Sequence, residues 1–144
     1  MDTVLVTGGC GYIGSHTCIS LLNTNYNILI VDSLVNSFES SFEKIKEISS
    51  RKGTTHNKRI QFIKGDLRNK QWLENIFSEY ARQNKPIKKV FHFAGLKSIF
   101  FSIKEPLEYW DTNVKSTLSL LSAMQKFGCY TLIFSSSATV YKPN

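Results

Sequence analysis

The sequence predicts an α/β fold in which a doubly wound parallel sheet is truncated after its fifth strand. Short apolar runs alternate with helical patterns along the whole chain, as in repeated βαβ units. A glycine-rich turn follows the first apolar run, and an acidic residue ends the second. We expect the 144 residues to form one domain, residues 1–144, in which the C-terminal part of the sheet is missing.

Each element is predicted from the period of its apolar residues and from the residues that bound it. The first strand is the run from Val4 to Thr7, and the last helix ends before Gly128, a residue suited to the position after a helix. The segment from Ser49 to Asn57 is polar and is expected to be a slack loop. The elements after the first strand are, in order, a helix from Ile13, a strand at Tyr26 to Val31, a helix near Phe38 to Ser50, a strand at Ile60 to Lys64, a helix at Lys70 to Asn84, a strand at Lys88 to Phe93, a helix from Pro106 to Phe127 and a strand at Tyr130 to Phe134.

Three glycines at every third position, Gly8, Gly11 and Gly14, lie between the first strand and the first helix. Together with Gly9 they also satisfy the fingerprint Gly-x-Gly-x-x-Gly. A turn this tight needs positive φ, and a diphosphate can approach a helix N-terminus only where no Cβ blocks it. The loop predicts a nucleotide site, and its alternative is an ordinary glycine-rich turn before a surface helix.

An aspartate, Asp32, follows the second strand, roughly 20 residues after the last glycine. A Rossmann-like fold places a carboxylate there, where it accepts hydrogen bonds from the adenosine ribose. Because the same carboxylate would repel a 2′-phosphate, the sequence favours NAD over NADP. The alternative is an aspartate that only begins a turn.

The next three strand ends also carry polar or small residues, and the carboxyl ends of parallel strands form the ligand-binding edge of such a sheet. Asp66 follows the third strand, where it would meet the adenine amino group or cap the next helix. Small residues and Lys97 follow the fourth strand, at 94–97, and suit a nicotinamide riboside lying against the backbone. Three serines at 135–137 follow the fifth. Each segment has an alternative interpretation as turn chemistry.

Four segments together carry a resemblance to a known family. They are Val-Thr-Gly-Gly-Cys-Gly-Tyr-Ile-Gly-Ser-His at 6–16, His-Phe-Ala-Gly-Leu-Lys at 92–97, Pro-Leu-Glu-Tyr at 106–109 and Phe-Ser-Ser-Ser-Ala-Thr-Val-Tyr at 134–141. Over nearly the whole chain these segments resemble the UDP-glucose 4-epimerase family of extended short-chain dehydrogenases/reductases. Related sugar-nucleotide dehydratases would show Asp-Glu where this sequence has Ala138-Thr139. That pair supplies the acid and base that expel water, which an epimerase does not need.

The resemblance implies a tightly held NAD and a UDP-sugar substrate. NAD would take hydride from C4 of the sugar and return it to the other face of a 4-keto intermediate, which interconverts UDP-galactose and UDP-glucose. Ser137 would be catalytic, hydrogen-bonding the sugar O4, or would simply end a strand. Full-length members are expected to be homodimers. The residues implied to bind NAD are Gly8, Gly11, Tyr12, Ile13 and Gly14 at the pyrophosphate, Asp32, Ser33, Leu34, Val35, Asn36 and Ser37 at the adenosine ribose, Asp66 and Leu67 at adenine, Phe93, Ala94, Gly95, Leu96 and Lys97 at the nicotinamide, and Thr112 and Asn113 in a cofactor-facing motif.

The sequence departs from the family at the general base. The family uses a tyrosine in a Tyr-x-x-x-Lys pair, whose lysine lowers the tyrosine pKa. No tyrosine here is followed by such a lysine: the residues four positions on are His16, Ile30, Asn84, Asn113 and Phe134, and the sequence stops before that position for Tyr141. The C-terminal half that would bind UDP is also missing. We therefore expect the N-terminal, cofactor-binding half of an epimerase, inactive alone; the alternative is a non-catalytic NAD-binding module.

Smaller departures concern the substrate. Phe100 and Phe101 stand where the family would show Gly-Glu, Thr112 replaces an Asn, and residues 115–117 read Lys-Ser-Thr instead of Asn-Gly-Thr. The two phenylalanine rings would narrow the sugar site or pack against a further helix. They leave open an enzyme that acts on another nucleotide sugar.

Composition excludes several other classes. The net charge is +7, but the basic residues between Lys44 and Arg59 alternate with Glu43 and Glu47, as on a solvated helix, and no nucleic acid is expected. No apolar run reaches the roughly 18 residues of a membrane span, and no signal peptide precedes the first strand. The three cysteines are expected to be buried packing residues, and the three histidines to bind no metal. We expect a cytoplasmic protein.

Overall fold

A computed structural model describes residues 1–51, 57–137 and 140–141 and confirms the predicted α/β class. Five parallel strands form one sheet in the order β3-β2-β1-β4-β5. The strands are β1 (Thr3–Thr7), β2 (Asn27–Asp32), β3 (Ile60–Lys64), β4 (Ile87–His92) and β5 (Thr131–Phe134). The helices are α1 (Tyr12–Leu21), α2 (Ser40–Arg51), α3 (Lys70–Arg82), α4 (Ile99–Lys104), α5 (Pro106–Trp110), a π-helical turn (Asp111–Lys115) and α6 (Ser116–Lys126).

The sheet separates two apolar cores, because successive side chains of a strand point to opposite faces. Val4 and Val6 of β1 pack with α1 and α2, whereas Leu5 packs with α3 and α6. All five residues of β1 are buried, since helices cover both faces at the centre of the sheet. This explains why β1 and β2 appear in the sequence as continuous apolar runs.

The chain reverses its direction across the sheet between β3 and β4. From β1 it moves outward to β2 and β3, and then crosses back so that β4 pairs with the other edge of β1. The carboxyl ends of β1 and β4 therefore flank the topological switch point, where open α/β sheets bind their ligands.

Most predicted elements lie within a few residues of their expected ends. The helix near 38–50 continues to Arg51, and residues 52–56 of the expected slack loop lie outside the described part. Three residues of the basic stretch pair within the protein. Lys46 pairs with Glu43 and Arg51 with Glu47, while Arg59 donates to the carbonyls of residues 22, 24 and 26 and so caps α1.

Between β4 and β5 the prediction of one continuous helix was wrong. The helix expected over 106–127 is interrupted by the π-helical turn, and a separate helix, α4, precedes it. Ser98 is the N-cap residue of α4, and its hydroxyl accepts the backbone N–H of Phe101 at 3.3 Å. The predicted end is confirmed, because α6 ends at Lys126 with Phe127 as its C-cap residue, and the next residue, Gly128, adopts φ +66°.

The cysteines are buried, as expected, with at most 3% of Cys10, Cys18 or Cys129 exposed. Burial, together with the charges of Asp32 and Glu39, raises the pKa of the Cys10 thiol to about 12. Within the described residues, no three His, Cys, Asp or Glu side chains converge as a metal site would need. The described helices are also too short or too polar to cross a bilayer.

Candidate functional site

The glycine loop after β1 is shaped by contacts that only glycine allows. Gly8 adopts φ +69°, and a Cβ there would lie 2.7 Å from the backbone nitrogen of Ala94. A Cβ on Gly14 would lie 2.3 Å from the Gly8 carbonyl oxygen. Because backbone atoms stand in both places, a side chain could not be accommodated by a rotamer change. The loop therefore brings α1 and the end of β4 to within contact of each other.

Helix α1 begins directly after this loop, and its N-terminus is exposed there. Gly11 is its capping residue, and no side chain caps the helix. Tyr12 and Ile13 follow with 78% and 55% of their surfaces exposed. The first backbone N–H groups of a helix carry partial positive charge and lack intrahelical partners. The end of α1 is thus suited to an anion.

Asp32 organises the neighbouring strand end. Its Oδ2 accepts the backbone N–H of Cys10, in the glycine loop, at 3.0 Å. Its Oδ1 accepts the N–H of Leu34 at 2.9 Å and the hydroxyl of Ser37 at 2.8 Å. The residue is 7% exposed. One carboxylate therefore holds together the glycine loop and the turn after β2.

That turn presents its backbone and small side chains to solvent. Leu34 adopts φ +61°, an uncommon conformation for a branched side chain, which the hydrogen bond to Asp32 helps to hold. Ser33, Val35 and Asn36 are exposed beside it. The turn predicted to bind ribose is thus a defined loop rather than an extension of β2.

At the end of β3, Asp66 is engaged by a residue that sequence reasoning did not assign. Arg68 donates to Asp66 Oδ2 from both Nε and Nη2, at 2.9 and 2.7 Å. Asp66 does not cap the following helix; the carboxamide of Asn69 does, accepting from the N–H of Trp72. Leu67 is 4% exposed, and its side chain packs in the core.

After β4 the chain is fixed by Asn113 of the π-helical turn. The Asn113 carboxamide accepts the N–H of Leu96 at 2.7 Å and donates to its carbonyl at 2.9 Å. A Cβ on Gly95 would come within 3.2 Å of the same carboxamide. Thr112, next to it, donates to Glu108 at 3.2 Å. Lys97 is exposed, and Phe93 packs in the core beneath the glycine loop.

A directional hydrogen-bond chain runs through the buried side chain of His92. Thr7 Oγ1 accepts the N–H of Ala94 at 3.4 Å and lies 2.6 Å from His92 Nδ1, to which its hydroxyl donates when the ring proton is on Nε2. Thr117 donates to the Asn113 carbonyl at 2.7 Å and so accepts from His92 Nε2 at 3.0 Å. These donors assign the neutral tautomer with the proton on Nε2. Burial lowers the pKa of His92 to about 4, so the ring is neutral at neutral pH.

Ser137 lies three residues beyond β5 and is exposed. The N–H of Ser135 donates to the His92 carbonyl at 3.3 Å, which extends the β4 pairing past the end of the strand. The serine segment therefore starts beside the end of β4. The structure brings the predicted residues of all five strand ends to one edge of the sheet.

Comparison with known proteins agrees with this geometry. The family model described as GDP-mannose 4,6 dehydratase matches residues 5–142. A UDP-glucose 4-epimerase of Klebsiella pneumoniae is 46% identical over 138 residues, which cover 96% of this chain and 91% of that protein. This chain belongs to the UDP-glucose 4-epimerase family.

Other members of the family are much longer than this chain. UDP-glucose 4-epimerase 2 of Arabidopsis thaliana is 44% identical over 139 residues, covering 96% of this chain and 37% of that protein. The structure of the Bifidobacterium longum UDP-glucose 4-epimerase in complex with NAD⁺ and UDP aligns with a TM-score of 0.83 at 42% identity. That alignment covers 97% of this chain and 38% of the Bifidobacterium chain. The chain thus spans just over a third of these two relatives, in their N-terminal portion.

Three sets of contacts at this edge of the sheet escaped prediction from sequence. They are the ion cluster of Arg68, the pairing of Asn113 with the Leu96 backbone, and the buried chain through His92. Each includes a contact between residues at least 17 positions apart, which no local period in the sequence marks. The phenylalanines that replace Gly-Glu lie on α4, where Phe100 is 76% exposed and the Phe101 ring packs 6.4 Å from that of Tyr109.

Proposed function

We propose that this chain is the NAD-binding half of a UDP-glucose 4-epimerase. The observation that supports this most strongly is the closure of the glycine loop by Asp32, whose Oδ2 accepts the N–H of Cys10 at 3.0 Å. It joins the two parts of a dinucleotide site, the helix N-terminus for the pyrophosphate and the carboxylate for the ribose. NAD⁺ and UDP are bound in the Bifidobacterium relative.

The residues fit the diphosphate. Gly8, Gly11 and Gly14 leave the space at the start of α1 without side chains, and a Cβ at the first or the last of them would meet backbone. The pyrophosphate oxygens would accept from the N–H groups of Tyr12 and Ile13, assisted by the helix dipole. The acidic side chains that would oppose an anion are lacking in the first turn of α1.

The residues also fit the adenosine. A carboxylate accepts at about four positions, and three protein donors occupy Asp32, only one of them at Oδ2. Oδ2 would accept a ribose hydroxyl, and a 2′-phosphate at that position would meet an uncompensated negative charge. Residues 33–37 would flank the ribose, with Asp66 and the Leu67 backbone at adenine.

At the nicotinamide end, the backbone of 93–96 would form the wall, with Lys97 and the motif at Thr112 and Asn113 beside it. NAD, when bound, supplies the acceptor and then the donor of hydride at C4 of the UDP-sugar. Ser137, beyond β5, would hydrogen-bond the sugar O4 and hold its proton during transfer. UDP-galactose and UDP-glucose would be interconverted by the full-length protein, which would act as a homodimer.

A thermal unfolding experiment tests the cofactor. NAD at about 100 times its Kd should stabilise the fold by about 2.7 kcal/mol, which corresponds to a rise in Tm of roughly 5 °C or more. NADP at the same concentration should raise the Tm by much less. A larger shift with NADP, or none with NAD, would contradict the assignment of Asp32.

The 144 residues alone should not turn over substrate, because none of the six tyrosines is followed by the lysine of a Tyr-x-x-x-Lys pair. The second candidate is a non-catalytic NAD-binding module. Conversion of UDP-galactose by the purified 144-residue protein, followed as UDP-glucose formation, would exclude the module and show that another group acts as the base.

A further inference from the structure

Arg68 binds three carboxylates that come from separate parts of the chain. Its Nε and Nη2 donate to Asp66, at the end of β3, and its Nη1 donates to Glu108 of α5 at 3.0 Å and to Asp111 of the π-helical turn at 2.8 Å. The backbone N–H of Arg68 donates to Asp66 Oδ1 as well, at 2.9 Å. No other side chain in the described residues pairs with three carboxylates.

The cluster depends on this one guanidinium. Arg68 presents a planar set of donors, of which two meet Asp66 and one is shared by the other two carboxylates. Only 28% of the Arg68 side chain is exposed, so solvent screens its contacts incompletely. Hydrogen bonds from Arg68 are the main cause that lowers the pKa of both Asp66 and Asp111. Without the arginine, three like charges would face one another across the gap between β3 and the π-helical turn, offset only by Lys115, which lies 3.5 Å from Asp111, among the described residues.

The two ends of the cluster lie at opposite halves of the proposed NAD site. Asp66 stands at the proposed adenine position. Asp111 begins the π-helical turn, and two residues later Asn113 holds the backbone of Leu96 through both its N–H and its carbonyl. A π-helical turn displaces the side chains that it carries, and such turns are frequent at functional sites. The position of the nicotinamide-side backbone therefore follows the position of Asp111.

We propose that Arg68 is a positioning residue that fixes the adenine side and the nicotinamide side of the site relative to each other. This inference rests on the proposed NAD-binding function. Arg68 acts through Asp111 and Asn113 on the backbone after β4, without itself touching the reacting part of the cofactor. Its loss should weaken the binding of the whole dinucleotide more than the binding of the adenine half.

Calorimetric titration with NAD and with AMP tests this. Asp111→Asn leaves the pairing of Asp66 with Arg68 intact, and we expect the NAD Kd to rise about fivefold while the AMP Kd changes less than twofold. Arg68→Met should raise the NAD Kd at least tenfold, and Arg68→Lys, which keeps the positive charge, should raise it by an intermediate factor.

The double variant Arg68→Met with Asp111→Asn should bind NAD no more weakly than Arg68→Met alone, because the two residues act as one unit. Arg82→Met is the matched control, since within the described residues Arg82 pairs with Glu79 alone, on the surface of α3.

Equal changes in the NAD and AMP Kd values for the Arg68 and Asp111 variants would overturn the proposal, as would no change in either. Circular dichroism checks folding, and if Arg68→Met does not fold, Arg68→Lys and Asp111→Asn decide the question.

Amide hydrogen exchange distinguishes a failure of this proposal from a failure of the proposed NAD-binding function. Even if the wild type binds no NAD, Arg68→Met should accelerate exchange at the Leu96 N–H and not at the Leu5 N–H in the centre of the sheet; unchanged exchange at Leu96 would overturn the proposal.

Discussion

At the scale of single residues, Gly14 is needed for the packing of the loop, whereas Gly11 is expected to leave room for the cofactor. Substitution of each by alanine distinguishes these two roles. Gly14→Ala would place a Cβ 2.3 Å from the Gly8 carbonyl oxygen, whereas at Gly11 the nearest atom, the same oxygen, is 3.2 Å away. We expect Gly14→Ala to lower the free energy of unfolding by about 2 kcal/mol or more, and Gly11→Ala by less than about 1 kcal/mol. Gly11→Ala should nevertheless abolish NAD binding, because its methyl group stands at the helix N-terminus. Urea unfolding and NAD titration check both outcomes; equal stability losses would contradict this division.

Asp32 is the residue on which cofactor choice depends. The Asp32 carboxylate accepts hydrogen bonds from Cys10, Leu34 and Ser37, and its negative charge would repel a 2′-phosphate. Asp32→Asn removes that charge. We expect the NAD Kd to rise about tenfold, since hydrogen bonds to charged groups contribute roughly 1.5–3 kcal/mol, and the preference over NADP to disappear. Asp2→Asn, at an exposed aspartate outside the site, is the control. A retained preference for NAD would show that another group excludes NADP.

At the scale of elements, the His92 side chain links β4 to β1 through Thr7 and to α6 through Thr117. Protonation of His92 should therefore weaken these contacts and lower the stability of the fold. Burial lowers the pKa of His92 to about 4 from 6.5, so between these values the unfolded chain binds a proton that the folded protein does not. The free energy of unfolding should therefore fall as the pH drops from about 6.5 toward 4, by on the order of 3 kcal/mol in total. Denaturant unfolding at several pH values measures this decrease.

A variant pair isolates that contribution from other groups. His92→Gln should remove most of the decrease between about pH 6.5 and pH 5, where few carboxylates titrate, although it lowers stability at neutral pH. His16→Gln, at an exposed position on α1, should leave the decrease unchanged. A decrease that persists in His92→Gln would mean that another group takes up the proton.

The elements also show which parts of the structure the sequence could predict. The glycine loop and Asp32 were predicted because their signals are local, a spacing of three residues and a charge at the end of an apolar run. The break at 111–115 was not, because the sequence from Pro106 to Phe127 is compatible with one continuous helix. The π-helical turn pairs Asn113 with Leu96, and that pairing exists only once the chain has folded. The capping signal of Ser98 before α4 was readable, but it precedes a helix of six residues.

At the scale of the whole molecule, the helical segment after α4 leaves an apolar stripe exposed. It repeats at helical spacing along one side, with 38–84% of each side chain exposed: Leu107, Trp110, Val114, Leu118 and Leu121. The edge of β5 is unpaired in the described structure as well, with Phe134 57% exposed. Contiguous apolar patches and open sheet edges favour association.

We therefore expect the 144-residue polypeptide to self-associate at micromolar concentrations in sedimentation velocity. Leu118→Glu should shift it toward monomer, because it places a charge within the stripe. Phe38→Glu should not shift it, because Phe38, although 75% exposed, lies beside α2 and outside the stripe. A monodisperse monomer of the wild-type polypeptide would contradict this expectation.

We expect the carboxyl edge of the sheet to bind NAD, and an amide NMR titration with NAD is the most direct test. Saturable chemical-shift changes are expected at the N–H groups of Gly11 to Gly14, at Leu34 and at Leu96, with much smaller changes when NADP is added. Those groups lie at the start of α1, at the turn held by Asp32 and at the backbone held by Asn113. Shifts confined to the basic face of α2, or no shifts with NAD, would contradict it.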